Sequence, residues 1–167
     1  IFVNPTQFGP GEDFEKYPRP FDTDLEICKK AGADVVFAPS AKEMYPMENM
    51  TWVNVEKLTA PLCGRCRPGH FRGVATVCTK LFNIVAPDIA FFGQKDAQQV
   101  AIVKKMAADL NMPIEIVVCP TVREKNGLAI SSRNRYLTTQ EKKDAASIYK
   151  SLRKCEQMVK QGIRETE

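Results

Sequence analysis

The stretch GVATVCTKLFNIVAPDIAFFGQKDAQQVAIVKKMAADLNMPIEIVV, residues 73–118, decides the fold. In its first part Val74, Val77, Cys78, Leu81, Phe82 and Val85 recur at the three-and-four spacing of one helix face, which predicts an amphipathic helix from about Gly73 to Val85, stopped before Pro87. Ile89–Phe92 is a short, fully apolar run and reads as a buried strand. A second helical pattern, roughly Asp96 to Leu110, carries Val100, Ile102 or Val103, Met106 and Leu110, and Ile114–Val118 is a further strand. Strands that are apolar throughout, alternating with helices, belong to a parallel sheet covered on both faces. The expected class is therefore α/β, doubly wound.

Outward from this stretch the pattern predicts more of the same. Ile1–Asn4 is an apolar run stopped by Pro5, so the chain is expected to open in mid-strand. Thr23 can cap a helix from Asp24 to about Ala31, with Leu25, Cys28 and Ala31 on one side and Gly32 ending it. Asp34–Phe37 (DVVF) reads as a buried strand, and Thr51–Val55 as a short one. After Pro120 the pattern changes. A polar loop, Thr121–Asn134, leads to a long helix beginning near Thr138, with Ala145, Ile148, Tyr149, Leu152, Cys155 and Val159 on one stripe. A stripe of that length needs cover, so a second domain is expected to begin at Val122. The division is residues 1–121 and 122–167, the latter a truncated start. No internal repeat is visible.

The 167 residues carry 24 Lys and Arg against 20 Asp and Glu, a net of +4, with 26% charged and 44% hydrophobic residues. These values exclude a disordered, collagen-like or low-complexity chain and suit a soluble globular protein. No apolar run approaches the roughly 20 residues of a membrane helix, and the first residues carry neither Met nor a basic leader. The small positive surplus is dispersed, without a basic stripe and interleaved aromatics, so neither a nucleic-acid nor a membrane partner is expected. Six cysteines among apolar neighbours read as reduced, mostly core residues of a cytoplasmic protein. Cys63 and Cys66 form a lone C-x-x-C pair, read as two incidental thiols rather than a metal site, with the single histidine, His70, beyond it.

Ligands of open parallel sheets bind outside the carboxyl ends of the strands, so the polar residues there are the candidates. In FVNPTQF, Asn4 and Gln7 bracket Pro5; amides there suit a small substrate with hydroxyl and carboxylate groups, or simply build a turn. In FFGQKDAQQ, Gly93 permits a tight strand-to-helix turn, and Lys95, Asp96 and Gln99 lie in or beside the first helical turn. A lysine is electrostatically misplaced at a helix amino end unless an anion such as phosphate binds there. Asp96 could take ribose hydroxyls or only cap the helix. No P-loop is present. Ile130–Asn134 (ISSRN) sets two hydroxyls beside a guanidinium, on a loop that could close over phosphates. Around His70, read as structural more readily than catalytic, Arg67 and Arg72 could pair with carboxylates such as Asp24 and Glu26 or reach an anionic substrate.

The strings FVNPTQF, YPRPFDTD, FAPSAKEMYP, RPGHFRGV, FFGQKDAQQ and CPTVREKNGLAISSRNRYL, in this order, closely resemble the pantoate-beta-alanine ligases of the cytidylyltransferase-like nucleotide-binding superfamily, over residues 1 to about 140. The resemblance implies a Rossmann-like parallel sheet and a two-step reaction. ATP adenylates pantoate with loss of pyrophosphate, and the amine of beta-alanine then attacks the pantoyl adenylate, releasing AMP and pantothenate. It implies that Gln7 and Gln99 hold pantoate, with Gln7 also beside beta-alanine. Gly93, Gln94, Lys95 and Asp96 would contact ATP, as would Val122, Ile130, Ser131, Ser132 and Arg133. Lys95, Ser131, Ser132 and Arg133 would be the catalytic groups that stabilise phosphate charge. Mg2+ is expected with ATP, Asp24 matches an acidic position near the metal, and a homodimer is common in the family. The family's PTMGxLHxGH segment should precede Ile1, so the 167 residues alone are expected to be inactive or very slow. The competing readings are a related nucleotidyl transferase acting on another small acid and a non-catalytic nucleotide-binding or assembly fragment.

Overall fold

The computed structural model describes residues 1–165. It divides into two compact units, residues 1–119 and residues 120 onward. In the first unit the helices are α1 (Phe21–Lys30), α2 (Ala41–Met44), α3 (Cys63–Cys66), α4 (His70–Val85) and α5 (Ala97–Asp109). The strands are β1 (Ile89–Gly93) and β2 (Glu115–Cys119), and short 3-10 turns cover Pro5–Gln7 and Gln94–Asp96. Strands β1 and β2 pair in parallel, from Ile89 opposite Glu115 to Gly93 opposite Cys119. Helix α5 is their crossover, so the class is α/β with a parallel sheet.

The core forms between α4 and α5. Phe71, Val74, Ala75, Val77 and Cys78 of α4 meet Ile102, Val103 and Met106 of α5, with Val55 beside them. Ile102 and Val103 are completely buried, each contributing roughly 1.5–3 kcal/mol of transfer free energy. Burial pushes the Cys78 thiol up to about 12. Helix α4 stops because Ala86 takes a left-handed conformation (φ 47°, ψ 53°) while its N–H still donates to Phe82, and Pro87 follows.

Several expected elements are different. Residues 1–4, 34–37 and 51–55 are not strands, and β1 with β2 is the ladder found among the described residues. Their backbone groups have other partners: the Ile1 nitrogen donates to the Phe37 carbonyl, and the Val53 N–H donates to Thr76 Oγ1 at 3.0 Å. The DVVF run is not buried either, Val35 being 84% exposed. Helix α1 begins at Phe21, three residues early, with Pro20 in the cap position and Thr23 inside the helix, not capping it. Its ends suit the helix dipole instead, with Asp22 and Asp24 in the first turn and Lys29 and Lys30 in the last. Helix α4 also starts three residues early, where left-handed Gly69 turns the chain into His70 and Phe71, both buried. The cysteines are all free thiols, but only Cys78 is buried; Cys63, Cys66 and Cys155 are exposed. Apolar neighbours in sequence did not put them in the core, because their elements present them outward.

In the second unit an antiparallel bridge joins Arg123 to Ala129 across a turn closed by Gly127. Arg123 lies over the Tyr149 ring at 4.1 Å. A 3-10 turn, Ser132–Tyr136, leads to α6 (Thr139–Lys160). Thr138 caps α6 in a capping box with Glu141, which pulls the Glu141 carboxyl below its ordinary value. Of the expected stripe, Ile148, Leu152 and Val159 are exposed.

One glycine is dictated by close approach. A Cβ built on Gly73 of α4 would lie 2.8 Å from the Gln7 nitrogen and nearer still to the Thr6 carbonyl. The Gly73→Ala variant should lose about 1–3 kcal/mol of stability through this overpacking, read as a lower denaturant midpoint.

Candidate active site

The first candidate begins at Asn4, which is 3% exposed. Its side-chain oxygen accepts from Tyr45 Oη at 2.9 Å and Thr6 Oγ1 at 3.0 Å. Its amide nitrogen donates to the Gly73 carbonyl at 3.2 Å and to Gln7 Oε1 at 3.3 Å. Pro5 opens the 3-10 turn that ends at Gln7. The two amides that bracket Pro5 therefore have separate work: Asn4 locks the turn to α4, and the half-buried Gln7 is presented by it.

A second set of contacts fixes Gln7 through its backbone. Arg67 Nη1 lies 3.1 Å from His70 Nε2. A guanidinium can only donate, so Nε2 accepts and the neutral ring carries its proton on Nδ1. That Nδ1–H donates to the Gln7 carbonyl at 2.8 Å. Arg67 in turn grips Glu12, its Nε donating to Oε1 at 2.7 Å and its Nη2 paired with Oε2. The guanidinium holds the Glu12 carboxyl below its usual value, and Glu12 raises Arg67 correspondingly. Of the options open to the two arginines, Arg67 pairs with a carboxylate, that of Glu12 rather than Asp24 or Glu26, and Arg72 stacks over Trp52 at 4.7 Å. His70 is a structural histidine that holds Gln7. Glu12 and Tyr45 were missed because nothing in their sequence separation from Arg67 and Asn4 announces the contact.

The second candidate is the carboxyl end of β1. Gly93 is not a turn glycine: its φ of −73° and ψ of 128° suit any residue. A Cβ there would meet nothing within 4 Å, so neither backbone geometry nor packing calls for glycine at this position. Exposed Gln94, Lys95 and Asp96 form the 3-10 turn that enters α5. Lys95 Nζ donates to Asp96 Oδ1 at 3.1 Å. Asp96 occupies the N-cap position of α5 without making a side-chain cap bond, which removes the reading of it as a plain helix cap. The amino end of a 13-residue helix is thus left without side-chain capping beside a lysine.

The adjacent glutamines of α5 do different things. Gln98 Nε2 donates to the carbonyls of Leu58 and Pro61 at 3.0 and 2.8 Å, and its Oε1 accepts from the Cys63 N–H at 3.1 Å. Gln99 is half-buried. Asp24, also half-buried, lies in the first turn of α1. No cluster of three His, Cys, Asp or Glu able to hold a metal exists among the described residues.

The third candidate lies in the second unit and is described by itself. The Ile130 N–H donates to the Val122 carbonyl at 3.0 Å, bringing these two residues together. Ser131 caps the following 3-10 turn by accepting from the Arg133 N–H at 3.3 Å. Ser132 and Arg133 are exposed. The loop is thus a built arm, closed by the Arg123–Ala129 bridge and by Asn134 Nδ2 donating to the Ala129 carbonyl at 3.0 Å.

The sequence profile of the pantoate-beta-alanine ligase family matches residues 1–167. The pantothenate synthetase of Acetivibrio thermocellus is 62% identical over 162 residues, which are 97% of this chain and 58% of that protein. That of Thermoanaerobacter pseudethanolicus is 60% identical over 98% of the chain and 58% of its own length. Among solved structures, the pantoate-beta-alanine ligase of Thermus thermophilus superposes with a TM-score of 0.95 at 50% identity, covering 97% of this chain and 59% of that one. The Francisella tularensis enzyme, complexed with beta-gamma ATP and beta-alanine, has a TM-score of 0.86 at 41% identity over 92% of this chain and 59% of its own. The chain thus spans a little under three fifths of the length of the relatives it matches. On a profile match along its whole length, the chain belongs to the pantoate-beta-alanine ligase family.

Proposed function

We propose that the intact protein carrying this chain condenses pantoate with beta-alanine at the expense of ATP. The observation that carries the reading is the corner at the carboxyl end of β1: a glycine that the fold does not require, then an exposed lysine at the amino end of α5, which has no side-chain cap. Backbone amides and a cation converging there suit the phosphates of a nucleotide. The family relationship and the ATP-type nucleotide and beta-alanine bound by the Francisella relative support it.

In the first step a pantoate carboxylate oxygen attacks the α-phosphorus of ATP. The bond to the bridging oxygen breaks and pyrophosphate leaves with that electron pair. In the second, the beta-alanine amine attacks the carbonyl carbon of the pantoyl adenylate, AMP departs and the amine loses a proton. A bare carboxylate is a poor electrophile; the phosphate leaving group makes the attack feasible once both reactants are held together. Gln7 contacts pantoate and beta-alanine, and Gln99 contacts pantoate. Gly93 to Asp96, Val122 and Ile130 to Arg133 contact ATP. Lys95, Ser131, Ser132 and Arg133 stabilise the phosphate charge, Lys95 exchanging its bond to Asp96 for a phosphate oxygen and so freeing that carboxylate for a ribose hydroxyl.

Mg2+ enters with ATP. The described residues form no metal cluster of their own; a magnesium ion bound to phosphates needs only one or two carboxylates, and by the family resemblance Asp24 would be one. Bound with the nucleotide, the ion would neutralise phosphate charge. The protein is placed in the cytoplasm, an assignment supported by its free thiols, and is a homodimer by the family resemblance. No described helix is long and apolar enough to cross a membrane.

Three outcomes follow for the intact protein. With ATP, Mg2+ and pantoate it should release pyrophosphate, and AMP with pantothenate only when beta-alanine is added; Lys95→Ala should slow the pyrophosphate step at least tenfold, equivalent to about 1.4 kcal/mol of barrier. If pyrophosphate does not depend on pantoate, the assignment fails. Gly93→Ala should leave the thermal midpoint essentially unchanged yet weaken ATP binding measured by calorimetry, because its methyl group occupies space that the fold leaves open. The Glu12 carboxyl sits lower in the folded state than its unfolded value of 4.5. Its contribution, about 1 kcal/mol for a partly exposed pair, is therefore complete above that pH and lost as pH falls through the lower, folded value. The stability gap between wild type and Glu12→Gln in denaturant titrations should be present near neutrality and close in acid.

A further inference from the structure

The C-x-x-C pair read above as incidental has a built setting. Cys63 and Cys66 are the first and last residues of α3, a single helical turn, and both are exposed free thiols. Helical geometry sets residues three apart at a Cα separation of about 5 Å, inside the roughly 4.4–6.8 Å window that a disulfide spans. The turn is anchored rather than loose. Gln98 accepts from the Cys63 N–H of the turn and donates to the Leu58 and Pro61 carbonyls of the segment leading into it. Gly64, between the thiols, is a necessity of packing, since a Cβ there would lie 2.8 Å from the Thr59 carbonyl carbon and closer to its oxygen. Leu62, immediately before the turn, adopts the unfavourable combination of φ 52° and ψ −121°, strain of the kind that persists where the surroundings over-determine it. Arg67 follows Cys66 directly, and its positive charge is favoured first by Glu12 and then by Cys63.

We propose that Cys63 and Cys66 form a redox-active dithiol that exchanges with small disulfides of the glutathione type. The Cys63 thiolate attacks one sulfur of the small disulfide, giving a mixed disulfide and releasing one thiolate. The Cys66 thiolate then attacks the Cys63 sulfur, closing the Cys63–Cys66 bond and releasing the second. The protein pair loses two electrons and two protons, and the small disulfide gains them as two thiols. The bridge would form next to Arg67, the residue that binds Glu12 and His70.

The test equilibrates the intact, native protein in mixtures of reduced and oxidised glutathione, quenches in acid, alkylates the free thiols and maps the peptides by mass spectrometry. Exposed Cys155 and buried Cys78 are internal controls. With reduced glutathione in excess, the peptide spanning residues 63–66 should be lighter by two hydrogens and revert with dithiothreitol, its oxidised fraction at least tenfold above that of Cys155. In Cys66→Ser, Cys63 should carry a glutathione adduct instead of a bridge. The proposal is overturned if both cysteines remain alkylatable, if they oxidise no more than Cys155, if each carries an adduct without bridging, or if Cys63 of the variant takes none.

Discussion

The backbone at Thr6 and Gln7 lies so near helix α4 that only a hydrogen atom fits on residue 73 between them. This contact between a turn and a helix far apart in sequence is the constraint on which the first unit's arrangement rests. Asn4 ties the same junction from the other side, through the Gly73 carbonyl. The α4 helix also packs its apolar residues on α5. Gln7 and the corner before α5 are thereby referred to one rigid body: the first through the helix start at His70, the second through the core around Ile102 and Val103. The proposed reaction would benefit from that kind of common frame, because reacting groups carried on independent loops lose the advantage of being held together.

Two cations near the site behave in opposite ways, and burial explains the difference. Arg67 is partly covered and meets Glu12 in a forked contact, a geometry that guanidinium groups favour. It serves as a fixed strut. Lys95 is more exposed and bonds the carboxylate of its neighbour Asp96, a contact of the exposed type that contributes little. Such a bond is readily exchanged when a more highly charged partner arrives. The distinction between a fixed and an exchangeable charge is therefore written in solvent access, which the sequence does not display.

Much of the central architecture was legible in residues 73–118. Helices α4 and α5 and strands β1 and β2 were expected from periodicity, with no end displaced by more than three residues. The reason is physical: an apolar face of four turns, or an uninterrupted apolar run, leaves few alternatives for burial. The run DVVF carried the same local signal, yet Val35 lies in solvent and no ladder forms there, because a strand exists only by virtue of a neighbour and a four-residue window contains none. The capping Thr138 was legible, since a capping box is local; Thr23 had the same residue type but lies within α1. Of the candidate site, the positions after β1 were nominated by the rule about strand ends. What could not be read was why each residue is there. Gly93 reads as a turn residue in the sequence and is vacant space in the structure, and Asn4, Tyr45, Glu12 and His70 became a support for Gln7 only once distant segments met.

The three bonds of Gln98 bind residues 58–63 to the opening turn of α5. A proteolytic nick, an inserted tag or a one-residue deletion in that surface segment would consequently not stay local. It would unmoor the side chain next to Gln99 and slacken the helix end beside Lys95, so this outwardly tolerant stretch is a poor place to graft anything.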